Sequence, residues 1–373
     1  MGVVTGGRST PAEGGPRHAA VLTVLVGLFA VILGLIATTA SPLLIALAVG
    51  LLGGSYLLVN PKLSIWIVLL AGLGGGALVS IAGAQFSRVT WGVVIVSFLL
   101  WIPVVFALLG KPSLPAFMQI LLAFLFLSII VSLPQLHSLG EFVAGLKRYF
   151  QAYGLLFALA LLSLSGKDFG RWHLALAGIA LAQLPFSLYE RFVLMPMRVQ
   201  RGAEATDVVA GTFGANLEGG SPNSLMVLFV LIAVAFAYMR WRKGLLPGWK
   251  TLLFALPCLA PIFLGETKIV LVLIPLMLVV LHGRELFRRP VLTLFVMIAG
   301  AGLLAVLVYV YTALIWDRPV EDVVRETLAY NFRYKGHGAN LLNRSTVLSF
   351  WWEQQSIADP VGFLFVHGIG SAY

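Results

Sequence analysis

The chain has 373 residues, of which 60% are hydrophobic and 11% charged, with a mean hydropathy of +0.97. Soluble domains carry about 25% charged residues, so this composition excludes a water-soluble globular protein and points to a polytopic membrane protein. The net charge of +10 does not call for a nucleic-acid partner, because in a membrane protein the location of charge matters more than its sum. The single cysteine, Cys258, lies inside an apolar run, which excludes an internal disulfide framework and a cysteine-ligated zinc site.

Residues 1–18 are rich in Gly, Pro and Arg and read as a disordered cytoplasmic tail ahead of a retained span. Crossing the hydrocarbon core takes about 20 apolar residues. On that ruler spans fall near 19–39, 42–59, 63–84, 89–109, 116–133, 149–165 and 173–194. Ser41-Pro42, Asn60-Pro61-Lys62, Lys111-Pro112, Pro134 and Ser165-Gly166-Lys167 break the runs with helix-stopping and polar residues. Between spans five and six, His137 to Arg148 reads as a short amphipathic helix on the membrane surface.

A polar, Gly-rich stretch follows, and span eight, 223–239, leads into Arg240, Arg242, Lys243 and Lys250. The run 251–281 is too long for one span and short for two, yet basic clusters flank it on both sides. The positive-inside rule puts both clusters in the cytoplasm, so the run crosses an even number of times and turns at Gly265-Glu266-Thr267-Lys268. Either two spans snorkel to their flanking cations or a re-entrant pair stops partway. A last span, 291–316, ends on Trp316.

The expected fold is an all-α polytopic membrane helical bundle of about 11 spans with two long external loops. Its blocks are a tail at 1–18, spans one to seven over 19–194, an external loop at 195–222, spans eight to eleven over 223–316, and a second external loop at 317–373. With the N-terminus cytoplasmic, 13 of the Lys and Arg residues and 3 of the acids lie inside, and 12 of each lie outside. That asymmetry supports the topology. No internal repeat is visible, so an inverted-repeat transporter receives no support. Gly72 to Gly76 lacks the lysine and preceding strand of a phosphate loop and reads as a site of close helix packing.

Twelve basic residues outside is unusual. Arg318, Arg325, Arg333 and Lys335 read as partners of outer acids on solvated loops. Arg191 and Lys268 differ, because Glu190-Arg191 closes an apolar span and Glu266-Thr267-Lys268 sits between two apolar runs. At that depth a charge is either paired with its neighbouring acid or functional. If Arg191, Arg198, Arg201, Lys268 and Arg344 converge, they suit a lipid-linked pyrophosphate, since arginine forks grip phosphate oxygens in pairs. The glycines from Gly211 to Gly220 would let backbone N–H groups approach such a ligand, and Ser221-Pro222-Asn223 opens a helix toward it.

These residues resemble a family. Gly211-Thr212-Phe213-Gly214, Ser221-Pro222-Asn223 opening a span, and a span starting after Glu266-Thr267-Lys268 are similar to the O-antigen ligase and polymerase superfamily of bacterial envelopes. In the final loop, Arg344, Trp351-Trp352, Asp359-Pro360 and His367-Gly368-Ile369-Gly370-Ser371 resemble that family's outer-loop pattern. The resemblance covers roughly residues 140–373.

It implies a glycosyltransferase at the outer face of the bacterial inner membrane. Its substrate would be a polyprenyl-pyrophosphate-linked glycan, used without metal, cofactor or nucleotide sugar, among membrane lipid and other polysaccharide-assembly proteins. Arg191 or Arg198 would stand for the first outer-loop arginine, Lys268 for a position where the family commonly has Arg, and Arg344 for the arginine of the large loop. The family's His-Asn pair follows the Gly-x-Gly pattern, and further spans follow that. The chain stops at Tyr373, so the expectation is a truncated chain with its last loop incomplete.

Within the chain, His367, His337 and Glu218 are the candidate general bases. Each histidine is flanked by glycine and reads equally well as a loop residue satisfied by backbone. Polymerase is preferred over ligase on Asp207 to Gly214, which is similar to exopolysaccharide and capsule members. The rivals are a flippase or transporter of a lipid-linked or anionic solute, and a chain that only binds its lipid.

Overall fold

In the computed structural model the described residues are 42–109, 114–135, 137–200, 208–215, 221–265, 267 and 269–291, with single positions between 27 and 38 and between 294 and 329. Among them the secondary structure is all helical, with no strand. The chain divides into two units, Met1–Ser64 and Ile65–Tyr373. In the first, helix α1 (Pro42–Val59) ends at Asn60, whose carbonyl accepts from Leu63 and Ser64 N–H at 2.9 and 3.3 Å. Those bonds open α2 (Pro61–Ala82), with proline at its first position, where no intrahelical N–H is required.

The second unit contains most of α2 and then α3 (Val89–Leu99), α4 (Trp101–Leu109), α5 (Ala116–Ser132), α6 (Leu139–Phe150), α7 (Tyr153–Leu161) and α8 (Gly166–Tyr189). A π turn, Glu190–Leu194, carries α8 directly into α9 (Met195–Gln200), and α10 (Asn223–Arg242), α11 (Gly248–Leu264) and α12 (Val270–Arg288) follow. Five stretches among the described residues are long and apolar enough to cross a membrane: Pro61–Ala82, Gln85–Leu109, Ala116–Gln135, Gly166–Gln200 and Asn223–Arg242. Their outward side chains are apolar, with Leu109 and Leu174 at 81% and 76% exposure, so the surface matches hydrocarbon rather than water.

Several breaks expected from sequence are helix boundaries. Ser165 caps α8, its hydroxyl accepting from Asp168 N–H while the Asp168 carboxylate accepts from Ser165 N–H. Ser138 and Glu141 form the same reciprocal cap on α6, the amphipathic helix expected from sequence, and the Ser138 hydroxyl and N–H hold the Glu141 carboxyl below its ordinary range. At the other end of that helix, the Lys147 ammonium lies 3.9 Å from the Trp91 ring centroid on α3. The run 251–281 breaks at Gly265, between α11 and α12, where the turn was expected.

Span six differs from its expectation. Of 149–165, the segment 153–161 forms α7, preceded by the last residues of α6, and nine residues rise only about 14 Å, half the hydrocarbon thickness. Extended backbone at Leu162 ends the helix. The short helix is buried: Phe157, Ala158 and Leu161 pack with Ile65, Val68, Leu100, Val104, Met118 and Trp172 in one core, and the Phe157 and Trp101 rings lie 5.0 Å apart. A second core joins Met226, Val227, Val230 and Leu231 of α10 to Val209 and Ile262. At the far end of α10, Tyr238 hydrogen-bonds His282 of α12 at 2.9 Å, and Phe236 stacks on His173 of α8 at 4.6 Å.

Phe157 is fully buried and Phe106 of α4 is 70% exposed on the apolar exterior. Phe157→Ala should therefore cost about 3–5 kcal/mol in unfolding free energy. Phe106→Ala should stay within about 0.5 kcal/mol, and unfolding of both variants in matched detergent checks the contrast.

Candidate functional site

The feature that organises the site is residues 208–215, Val-Val-Ala-Gly-Thr-Phe-Gly-Ala, which fold back into the bundle. Val208, Val209 and Ala210 are at most 3% exposed, and Gly211, Thr212 and Gly214 are also buried. Non-helical backbone inside an apolar bundle has no water to satisfy its N–H groups, so each must find a protein acceptor. All six from 210 to 215 do. Ala210 and Gly211 N–H both donate to Glu190 Oε2 at 2.7 Å, and Thr212 N–H donates to Gln183 Oε1 at 2.9 Å. Phe213 and Gly214 N–H close a tight turn on the carbonyls of Ala210 and Gly211, both at 3.2 Å, and Ala215 N–H donates to Ser80 Oγ at 2.8 Å.

The acceptors come from two helices. Gln183, Ser187 and Glu190 fall at i, i+4 and i+7 along α8 and the start of the π turn, which sets them on one face. All three are 0% exposed. From α2, the Ser80 hydroxyl donates to Glu190 Oε1 at 3.1 Å, and the Leu73 carbonyl accepts from the Thr212 hydroxyl at 2.6 Å. That hydroxyl also accepts from Gln183 Nε2 at 2.6 Å, and Ser187 Oγ lies 3.4 Å from Met226 Sδ of α10.

Two close approaches make the fit specific to glycine. Gly211 sits at φ +61°, and a Cβ there would lie 2.1 Å from Gln183 Oε1. A Cβ on Gly76 would lie 1.9 Å from the Phe213 carbonyl carbon, so α2 and the loop touch backbone to backbone. The run Gly72 to Gly76 thus has two partners: Gly72 and Gly75 face Val93 and Val89 of α3, and Gly76 faces the loop. The expectation of close helix packing covers only the first of these.

The loop glycines were expected to offer N–H groups to a bound phosphate. From Ala210 to Ala215 those groups are already taken, so this part of the stretch is an internal buttress rather than a ligand cradle. Glu190 was weighed as a charge paired with its neighbour Arg191. Its oxygens accept instead from the loop and Ser80, while Arg191 Nη1 reaches Met195 Sδ at 3.1 Å.

Of the candidate binding residues, Arg191 lies half-buried in the π turn and Arg198 is buried in α9. Arg201, Lys268, Arg344, Glu218, His337 and His367 lie outside the described residues, as does Glu266. Among the described residues no cluster of His, Cys, Asp and Glu could hold a metal ion.

The helical stretch from Gly166 to Gln200 is 35 residues long, about 52 Å, well beyond the hydrocarbon thickness of about 30 Å. Arg171 and Arg191 bracket its apolar part. Twenty residues separate them, about 30 Å of rise, and the intervening segment is free of charged residues except Glu190. Along the stretch Arg191 thus lies about one hydrocarbon thickness from Arg171, with Arg198 about 10 Å beyond it.

No family model, curated protein or solved structure matches the chain.

Sequence reasoning singled out the loop and the two arginines but missed Ser80, Gln183 and Ser187. The available signal was the polar spacing Gln183, Ser187, Glu190 on one face of an otherwise apolar helix. Two variants test the buttress. Gly76→Ala must push loop backbone aside, and Thr212→Val strips the hydroxyl shared by Gln183 and Leu73, a loss of about 1–3 kcal/mol. Hydrogen exchange at 210–215 should be slow in the wild type and clearly faster in both variants, while exchange in α5 stays unchanged.

Proposed function

We propose that the chain is a polymerase-type glycosyltransferase of the bacterial inner membrane, a member of the O-antigen ligase and polymerase superfamily. It would move polyprenyl-pyrophosphate-linked glycan onto an acceptor hydroxyl at the outer face. The observation that carries this reading is the placement of Arg191 and Arg198 on one buttressed helical stretch. Arg191 is one hydrocarbon thickness from Arg171, and Arg198 is a little farther out. A polyprenyl pyrophosphate has its tail in the bilayer and its diphosphate at that same depth. Cations fixed there suit it, and guanidinium groups match phosphate oxygens in pairs.

In the proposed reaction the acceptor oxygen attacks the anomeric carbon of the lipid-linked glycan. The bond from that carbon to the diphosphate oxygen breaks, and the polyprenyl diphosphate departs with the electron pair. A general base, drawn from His367, His337 and Glu218, takes the acceptor proton. Arg191, Arg198, Arg201, Lys268 and Arg344 oppose the charge that develops on the leaving diphosphate. The accompanying topology has a cytoplasmic N-terminus and eleven crossings, with the stretches 195–222 and 317–373 opening to the outer side. The balance of 13 Lys and Arg inside against 12 outside, with 3 and 12 acids, supports it.

The glycan length distribution in cells with and without the gene tests the reading. Loss of polymer with single lipid-linked repeats at the outer face is the expected result. Full-length lipid-linked polymer would indicate a ligase, and lipid-linked units held on the cytoplasmic face would replace the enzyme by a flippase. Within the site, Arg191→Ala and Arg344→Ala should abolish long chains at normal membrane abundance, whereas Arg325→Ala should be mild. Equal damage from Arg325→Ala would show that the site is misplaced.

A further inference from the structure

Glu190 begins the π turn that separates α8 from α9, and it is where the buried loop grips the helix. A π turn spreads one extra residue through the helix, so everything after it is rotated by about 100° relative to an unbroken α-helix. The buried face of α8 runs through Gln183, Ser187 and Glu190 and continues through Leu194 to Arg198, while Met197 and Val199 are 45% and 51% exposed. In an unbroken helix Met197 and Arg198 would straddle that face almost equally. With the π turn, Met197 swings away from that face and Arg198 alone stays beside it.

From this geometry we infer that Glu190 is a positioning residue. By accepting two loop N–H groups and the Ser80 hydroxyl, its carboxyl group pins the π turn and so sets the rotational phase that leaves Arg198, and not Met197, on the buried side. Glu190 does not touch the substrate. It is 0% exposed beneath a buried loop, so the N–H pair it fills is closed to an outside anion. The consequence for anion binding rests on the function proposed above; the phase itself does not.

The test uses the full chain in nanodiscs, with single cysteines introduced by Met197→Cys or Arg198→Cys. The natural Cys258 is buried and serves as a silent background. A water-soluble maleimide should label position 197 and spare 198 in the wild type. Glu190→Gln keeps an oxygen that can receive both N–H groups and should preserve that pattern. Glu190→Leu removes every acceptor, lets the turn anneal to α-helix and should erase the contrast, leaving 197 and 198 labelled to similar extents.

In chains retaining Met197 and Arg198, inorganic pyrophosphate should bind to wild type and Glu190→Gln alike, and at least about tenfold more weakly to Glu190→Leu. If Glu190→Leu does not accumulate, Ser80→Ala loosens the same clasp and should narrow the difference in labelling between 197 and 198. An unchanged pattern in Glu190→Leu, or in Ser80→Ala as its substitute, overturns the inference. So does a Gln variant that behaves like Leu. Tighter pyrophosphate binding by Glu190→Leu would also overturn it, because the carboxylate would then be occupying an anion site. Absence of pyrophosphate binding by the wild type counts against the proposed function, and the labelling pattern still decides the role of Glu190.

Discussion

Two hydrogen bonds, from Ala210 and Gly211 N–H to one oxygen of Glu190, determine how the middle of this protein is built. A stretch of non-helical backbone can lie inside an apolar bundle only when every N–H has an acceptor, and an unmet group costs about 1–3 kcal/mol. Six consecutive N–H groups are met here, three of them by side chains of α8 and the π turn and one by Ser80 of α2. Glutamate suits the position because a single carboxyl oxygen has room for two donors. The clasp therefore joins three parts of the chain that hydrophobic packing alone would hold loosely in lipid, where burying apolar surface gives little drive.

That clasp also explains the shape of the longest helical stretch. Gly166–Gln200 contains Pro185 and the π turn 190–194, two departures from α-helical bonding that would be defects in isolation. Both lie beside the polar stripe that receives the loop, and Ser187 stands between them. Irregularity is concentrated where the helix meets its buttress, with Arg191 inside the π turn and Arg198 in the short helix after it. Between Ser165 and Gln183 the helix is regular and capped.

Helix limits were legible in the sequence wherever proline or a capping residue marks them. Pro42, Pro61, Ser138 and Ser165 mark helix starts: α1 opens on Pro42 as expected and α6 two residues after His137, whereas α2 and α8 open two and seven residues before the spans expected at 63 and 173. Local chemistry sets those points, so local reading finds them. The run 149–165 was harder, because its hydrophobicity is the same whether it faces lipid or protein. Only packing reveals that α7 is short and buried. The candidate site was legible in part: Arg191 and Arg198 stand out as cations at the end of an apolar run. The fate of Gly211 to Gly214 was not legible, since its partners at 73, 76, 80, 183 and 190 are distant in sequence. Glycine also reads the same whether it admits a ligand or a neighbouring helix.

The backbone contact between Gly76 and Phe213 has a consequence for how the protein is made. The two residues lie 137 positions apart, so α2 leaves the ribosome long before the loop that must lie against it. Until residues 208–215 emerge, Ser80, Gln183 and Glu190 lack the loop partners they have in the finished bundle. A carboxylate in that state is poorly suited to hydrocarbon. The end of the 166–200 stretch is thus completed by the arrival of the loop rather than by formation of the helix itself.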